Sequence, residues 1–165
     1  MKRLLLTISL IVMMGFLPVK AQTVSYSHKP LTNEACSINF SVAKKDSSYF
    51  IVVTAHSDKL IFINEPTMKI RTFKGDVLTF DGLLIGNDKE SFGAIMGDII
   101  LPIDSKLSTA QFKVTPEQFE QIKTGILKIR LSMAPINHEH TFKKDKIGEK
   151  LYDLYLKIKK QDDDF

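Results

Sequence analysis

Apolar and polar side chains alternate with a period of two along most of this chain. Ile38, Phe40 and Val42 alternate with Ser37, Asn39 and Ser41, which puts apolar groups on one face of a strand and polar groups on the other. Residues 49–56 are apolar on both parities, the pattern of a strand covered on both sides and therefore central in its sheet. Residues 60–63, 68–73, 77–80 and 83–85 form further short runs, separated by Asn64-Glu65-Pro66, Lys74-Gly75 and Asp81-Gly82 and closed by Gly86-Asn87-Asp88. Proline removes a ladder donor, and Asp-Gly is a strong hairpin signal. Residues 60–86 are accordingly expected to form an antiparallel meander that turns at those points. Residues 92–103 are apolar with Gly93 and Gly97 inside, where glycine marks a bulge or a close backbone approach. Residues 107–114 then set Ala110, Phe112 and Val114 against Gln111 and Lys113.

The period breaks twice toward a helix. Thr115-Pro116-Glu117-Gln118 supplies a capping hydroxyl, a proline at the first helical position and a glutamine three residues after the cap, which together predict a capping box. Phe119 and Ile122 form its apolar stripe, and Gly125 is the expected left-handed stop. A strand follows with Leu127, Ile129, Leu131 and Met133 on one face and Lys128, Arg130 and Ser132 on the other. Pro135 breaks it, and residues 136–142 resume in extended form. From Asp145 onward Ile147, Leu151, Leu154, Tyr155 and Ile158 share a helical face. Eight to ten short strands with two helices predict a mainly β fold. The expected form is an antiparallel β-sandwich or flattened barrel with one short crossing helix and a C-terminal amphipathic helix.

The N-terminus departs from both periods. Met1-Lys2-Arg3, an apolar run over residues 4–17 and Pro18-Val19-Lys20-Ala21 have the charged, apolar and small-residue parts of a Sec-type signal peptide over residues 1–21. Fourteen apolar residues are too few to cross a bilayer core of about 30 Å. The expectation is an exported chain, periplasmic or secreted, with one β-rich domain over residues 22–160, no transmembrane segment after cleavage and an acidic tail at 161–165. Charge reads differently once that segment is set aside. The full chain carries 23 basic and 19 acidic side chains, a net charge of +4. Removing Lys2, Arg3 and Lys20 leaves 20 basic against 19 acidic, so the overall charge gives no nucleic-acid signature. Cys36 is the only cysteine and is expected half-buried at a strand edge; it cannot close a disulfide within the chain, so a packed core must supply the stability.

Candidate chemistry is sparse. In His138-Glu139-His140 the two histidines project from one strand face and Glu139 from the other, which supplies two zinc ligands where a site needs three or four. His28 or His56 would have to complete it. The expectation is no metal site and no cofactor, with His138 and His140 the candidates if zinc binds. Ser91 lacks the first glycine of a nucleophile elbow. Asp81, Asp88 and Glu90 are the carboxylates from which an acid–base pair would be drawn, and turn chemistry accounts for them equally. No catalytic residue is assigned. The chain has no tryptophan and four tyrosines, which disfavours stacking platforms for sugars or bases. Lys143-Lys144-Asp145-Lys146 and Lys157, Lys159 and Lys160 form basic clusters that read as the wet face of the last helix or as contacts to an anionic surface.

The residues 112–118, 122–131 and 141–148, which hold the cap, the alternating strand and the start of the last helix, resemble the C-terminal part of uncharacterised exported proteins of Bacteroidetes-type bacteria. The resemblance implies a β-rich exported domain ending in a helix and transfers no activity. The expected function is a non-enzymatic binding or structural domain of the cell envelope whose partner is an envelope or extracellular protein rather than nucleic acid. The alternatives are a small metal-dependent envelope hydrolase using His138 and His140, and an inhibitor of an extracellular hydrolase.

Overall fold

The alternation read from the sequence is an alternation of burial. On β2 (Glu34–Lys45) Cys36, Ile38 and Phe40 are buried, and on β3 (Ser48–Ser57) Ile51, Val53, Ala55 and Ser57 are. The computed structural model describes residues 24–31, 34–57, 61–96 and 99–163; the expected signal peptide lies outside them. Besides β2 and β3 it holds β1 (Val24–Leu31), β4 (Phe62–Thr72), β5 (Val77–Met96), β6 (Ile99–Val114), α1 (Pro116–Ile122), β7 (Ile126–Ala134), β8 (His138–Thr141) and α2 (Gly148–Asp163). The eight strands form one antiparallel sheet in the order β1-β2-β3-β6-β5-β4-β7-β8, curved into a half-barrel. The fold is mainly β with a short crossing helix and a C-terminal helix, as the pattern predicts.

Both helices close the barrel's interior. Thr115 caps α1 through a reciprocal box: the Gln118 amide donates to Thr115 Oγ1 at 3.3 Å and the Thr115 amide to Gln118 Oε1 at 2.9 Å. Phe119 of α1 stacks on Tyr155 of α2 with ring centroids 4.4 Å apart, and Tyr49 of β3 meets Tyr155 edge-on at 4.9 Å. Each of these rings removes apolar surface worth about 1.5–3 kcal/mol from water. Asp145 fixes the start of α2 by accepting from the amides of Ile147, Gly148 and Glu149, and ties it to β7 by accepting from Ile126 at 2.9 Å. Burial alone would raise the Asp145 carboxyl, but the four amide donors outweigh it and hold it below its ordinary range. The helix continues through residues 161–163, into the stretch expected as a tail. Among the described residues no helix is long and apolar enough to cross a membrane.

Three turn signals resolve differently from expectation. Asp81-Gly82 is no hairpin: β5 runs straight through it and changes partner there, pairing with β4 over 77–81 and with β6 over 82–96. Pro66 does not separate two strands but sits inside β4, where the register against β7 slips between Ile63 and Met68 and Glu65 adopts φ 45°. Gly86 likewise marks a slip against β6 rather than a strand end. The apolar run at 92–103 is a hairpin arm, its ladder closing at Met96 opposite Ile99, with residues 97–98 outside those described. Cys36 is corrected too: β1, which residues 24–31 did not announce, covers that side of β2, and Cys36 is buried to 2 % exposure instead of lying at an edge.

Gly82 is the position where the change of partner constrains the residue type. A Cβ built there would lie 2.5 Å and 2.7 Å from two ring carbons of Phe112 and 3.0 Å from the Gln111 carbonyl. At Gly86 the nearest such atom is Thr109 Cβ at 3.6 Å, an ordinary contact. Gly82→Ala is therefore expected to lower unfolding stability by about 1–3 kcal/mol through overpacking, while Gly86→Ala stays close to the parent. Urea denaturation measures both, and equal midpoints for the two variants would show that the bend tolerates a side chain.

Candidate functional site

The residues singled out for chemistry do not converge. His138 and His140 share the inner face of β8, as their spacing requires, with rings nearly parallel and centroids 6.4 Å apart. His138 is buried, and His140 packs edge-on against Phe142 at 4.4 Å. His56 lies on β3, at the parity opposite to the buried Ala55 and Ser57, and therefore on the other face of the sheet. The side chains of His28, Glu90 and Ser91 lie outside those described. Among the described residues no three or more histidine, cysteine, aspartate or glutamate side chains are grouped to hold a metal. Asp81 and Asp88 are both exposed on β5 but seven positions apart, about 20 Å at a strand's rise.

The convergence lies on the outer face of β4, β7 and β8. Because Met68, Ile70 and Thr72 point inward on β4, Thr67, Lys69 and Arg71 point outward. Because Ile129, Leu131 and Met133 point inward on β7, Lys128, Arg130 and Ser132 point outward. The pairing sets Lys69 directly opposite Arg130, and Arg71 directly opposite Lys128. On the far side of β7, Arg130 faces Glu139 and Lys128 faces Thr141. On the far side of β4, Lys69 faces Thr79 and Arg71 faces the exposed Val77.

Four cations thus form a two-by-two grid with Glu139 at its β8 margin and Asp81, opposite Thr67, at its β5 margin. Glu139 accepts from Arg130 Nε at 2.7 Å and from its terminal nitrogen, and lies 2.5 Å from Lys128 Nζ. The Lys128 ammonium, and after it the Arg130 guanidinium, hold the Glu139 carboxyl below its ordinary range. Among the described residues Lys69 and Arg71 have no ion-pair partner. Like charges directly opposed across a ladder repel. The grid therefore carries an electrostatic load that Glu139 relieves only on the β7 side.

Shallow depressions follow the grid. One of about 180 Å³ is lined by Lys69, Ile70, Arg71, Val77, Lys128, Arg130 and Glu139. A second, of about 200 Å³, continues it past Lys69 and Arg130 to Thr67, Ser132 and Asn137. A third, of about 310 Å³, lies at the end of β8 and is lined by His140, Thr141, Phe142, Lys143, Lys144 and Lys146. Such a surface suits a ligand that brings negative charge and hydrogen-bonding groups.

Lys128 and Arg130 stand on the polar face read from the sequence, and Lys69 and Arg71 escaped that reading. Their own alternation with Met68 and Ile70 is the signal that places them outward. What local spacing lacks is the adjacency of β4 and β7, strands more than fifty residues apart in the chain. Comparison with family models, curated proteins and solved structures finds no match to the chain.

The sign of the Glu139 shift fixes its pH behaviour. A depressed carboxyl keeps its ion pairs at and above the ordinary glutamate range and loses them as pH falls through the lowered value. A carbon-detected NMR titration is expected to place the Glu139 midpoint below that of an ordinary glutamate at about 4.3, and Lys128→Gln to move it upward. An ordinary midpoint that ignores this substitution would contradict the arrangement.

Proposed function

We propose that this chain is an exported, non-enzymatic binding domain of the cell envelope that holds an anionic ligand on the outer face of β4, β7 and β8. The observation that carries this reading is the direct opposition of Lys69 to Arg130 and of Arg71 to Lys128. A strand pair selected for stability alone gains by placing opposite charges there. Retaining four cations in facing positions costs stability in the unliganded domain and is compensated when an anion arrives. Overall basicity does not account for the grid, since the chain without residues 1–21 is nearly neutral by count. The basic, apolar and small-residue pattern of residues 1–21 supports export, and an envelope or extracellular macromolecule bearing acidic groups is the partner that suits both features.

Dextran sulfate is a suitable first probe, because it offers dense anionic charge without bases or acyl chains. In isothermal titration at low salt the mature domain is expected to bind it, and affinity should fall steeply as salt rises. The double variant Lys69→Glu, Arg71→Glu should weaken binding by about tenfold or more, the equivalent of at least 1.4 kcal/mol. Its melting temperature should stay level or rise, because the opposed like charges are gone. Unchanged affinity in this folded variant would overturn the assignment of the face.

A further inference from the structure

The first two depressions join into one track, and the basic residues at its end say more about the ligand than its sign. The first two share Lys69 and Arg130. The third shares no lining residue with them and is walled in part by the inward His140 and Phe142, but its Thr141 faces Lys128 across the β7–β8 ladder. Along β4 and β7 the track covers four residue steps, from Thr67 to Arg71 and from Ser132 to Lys128, about 13 Å at a strand's rise. Beyond Thr141 it continues onto Lys143 and Lys144, both exposed. Asp145, the one acidic residue in that basic run, does not neutralise it. Its carboxylate is turned to the amides of Ile126, Ile147, Gly148 and Glu149.

Building on the anion-binding reading above, we propose that the ligand is a linear anionic polysaccharide, bearing carboxylate or sulfate groups at intervals, which lies along β4 and β7 and continues past Thr141 onto Lys143 and Lys144. The polar groups between the cations favour a hydroxyl-rich polymer. Ser132 donates to the Asn64 carbonyl at 2.7 Å and Thr67 to the Glu65 carbonyl at 3.4 Å, so both hydroxyl oxygens keep lone pairs for an incoming donor. Asn137 Oδ1 accepts from the Met133 amide at 3.2 Å, which leaves the amide N–H groups of this exposed side chain for an incoming acceptor. No aromatic ring lines the two depressions over β4 and β7 for bases to stack on, and the rings of the third, His140 and Phe142, pack edge-on against each other. The exposed Leu83, Leu84 and Ile85, which a bilayer would take up, follow the bend in β5 rather than the grid.

The experiment compares sulfated disaccharide, tetrasaccharide and octasaccharide fragments of heparin with polyglutamate, single-stranded DNA and phosphatidylglycerol vesicles, all against the folded mature domain. Affinity for the octasaccharide is expected to exceed that for the disaccharide by about tenfold or more, as linked contacts add. Lys143→Ala with Lys144→Ala should weaken the octasaccharide about threefold to tenfold and leave the disaccharide unchanged. Affinity that does not grow from disaccharide to octasaccharide would overturn the track while leaving the anion-binding face in place. Tighter binding of polyglutamate, DNA or vesicles than of the octasaccharide would overturn the polysaccharide assignment in the same way. Loss of every anion probe would remove the underlying reading instead.

Discussion

The architecture depends on the close approach of Phe112 to the backbone of β5 at Gly82. At that point β5 leaves β4 and takes β6 as its partner, and the space a side chain would need is occupied by the Phe112 ring. The change of partner joins two ladders into one curved sheet. β1, β2, β3 and β6 stand on one side of it, and β4, β7 and β8 on the other. The inner faces of both wings contribute their apolar residues to one core, which α1 and α2 share. The outer face of the second wing remains as a smooth polar surface on which charge can be arranged. A glycine at the bend thus has two consequences, the continuity of the core within and the exposure of the cation grid without.

That grid gains its meaning from the rest of the charge distribution. A chain with 20 basic and 19 acidic side chains after residue 21 could intersperse its signs. Here the cations face one another across β4 and β7, and the carboxylates sit at the margins, Glu139 on β8 and, on β5, Asp81 opposite Thr67. Held by Lys128 and Arg130, Glu139 acts as an internal counter-ion for β7. On the β4 side Lys69 and Arg71 have no ion-pair partner among the described residues, and in the proposed reading the ligand supplies their counter-ion. A neighbouring acid, Asp145, is drawn away by the need to satisfy the amides at the start of α2.

The elements written in local spacing were legible. The capping box at Thr115, the inward set Ile129, Leu131 and Met133, the central position of β3 and the stop at Gly125 each follow from residues within a few positions of one another. Leu127, expected in that inward set, instead yields its buried place to Ile126 where the register against β4 slips. The failures share a cause, since Asp81-Gly82, Pro66 and Gly86 are turn formers whose local preference was overridden by the ladders around them. Glycine and proline mark places where regular pairing is disturbed, and a bend, a bulge and a hairpin disturb it alike. Only the tertiary partners decide among them, Phe112 for Gly82 and the slipped register against β7 for Pro66. β1 escaped notice because its alternation, Val24 and Tyr26 against Ser25 and Ser27, is short and runs into the polar His28-Lys29-Pro30.

The candidate site divides along the same line. His138 and His140 attract attention because they are close in sequence, and strand geometry does put both on one face, but that face is the interior, where no group of ligands is assembled among the described residues. Lys69 and Arg71 lie far in sequence from Lys128 and Arg130, and each pair alone is an ordinary wet strand face. Facing one another across a single ladder, the four become a cost to the unliganded sheet. Binding energy is drawn from such unfavourable arrangements, because an anion that relieves the repulsion gains what folding had to spend. In this molecule His138 and His140, the residue types that suggest chemistry, belong to the interior of the sheet, and the proposed site is drawn from residues that each look like ordinary surface.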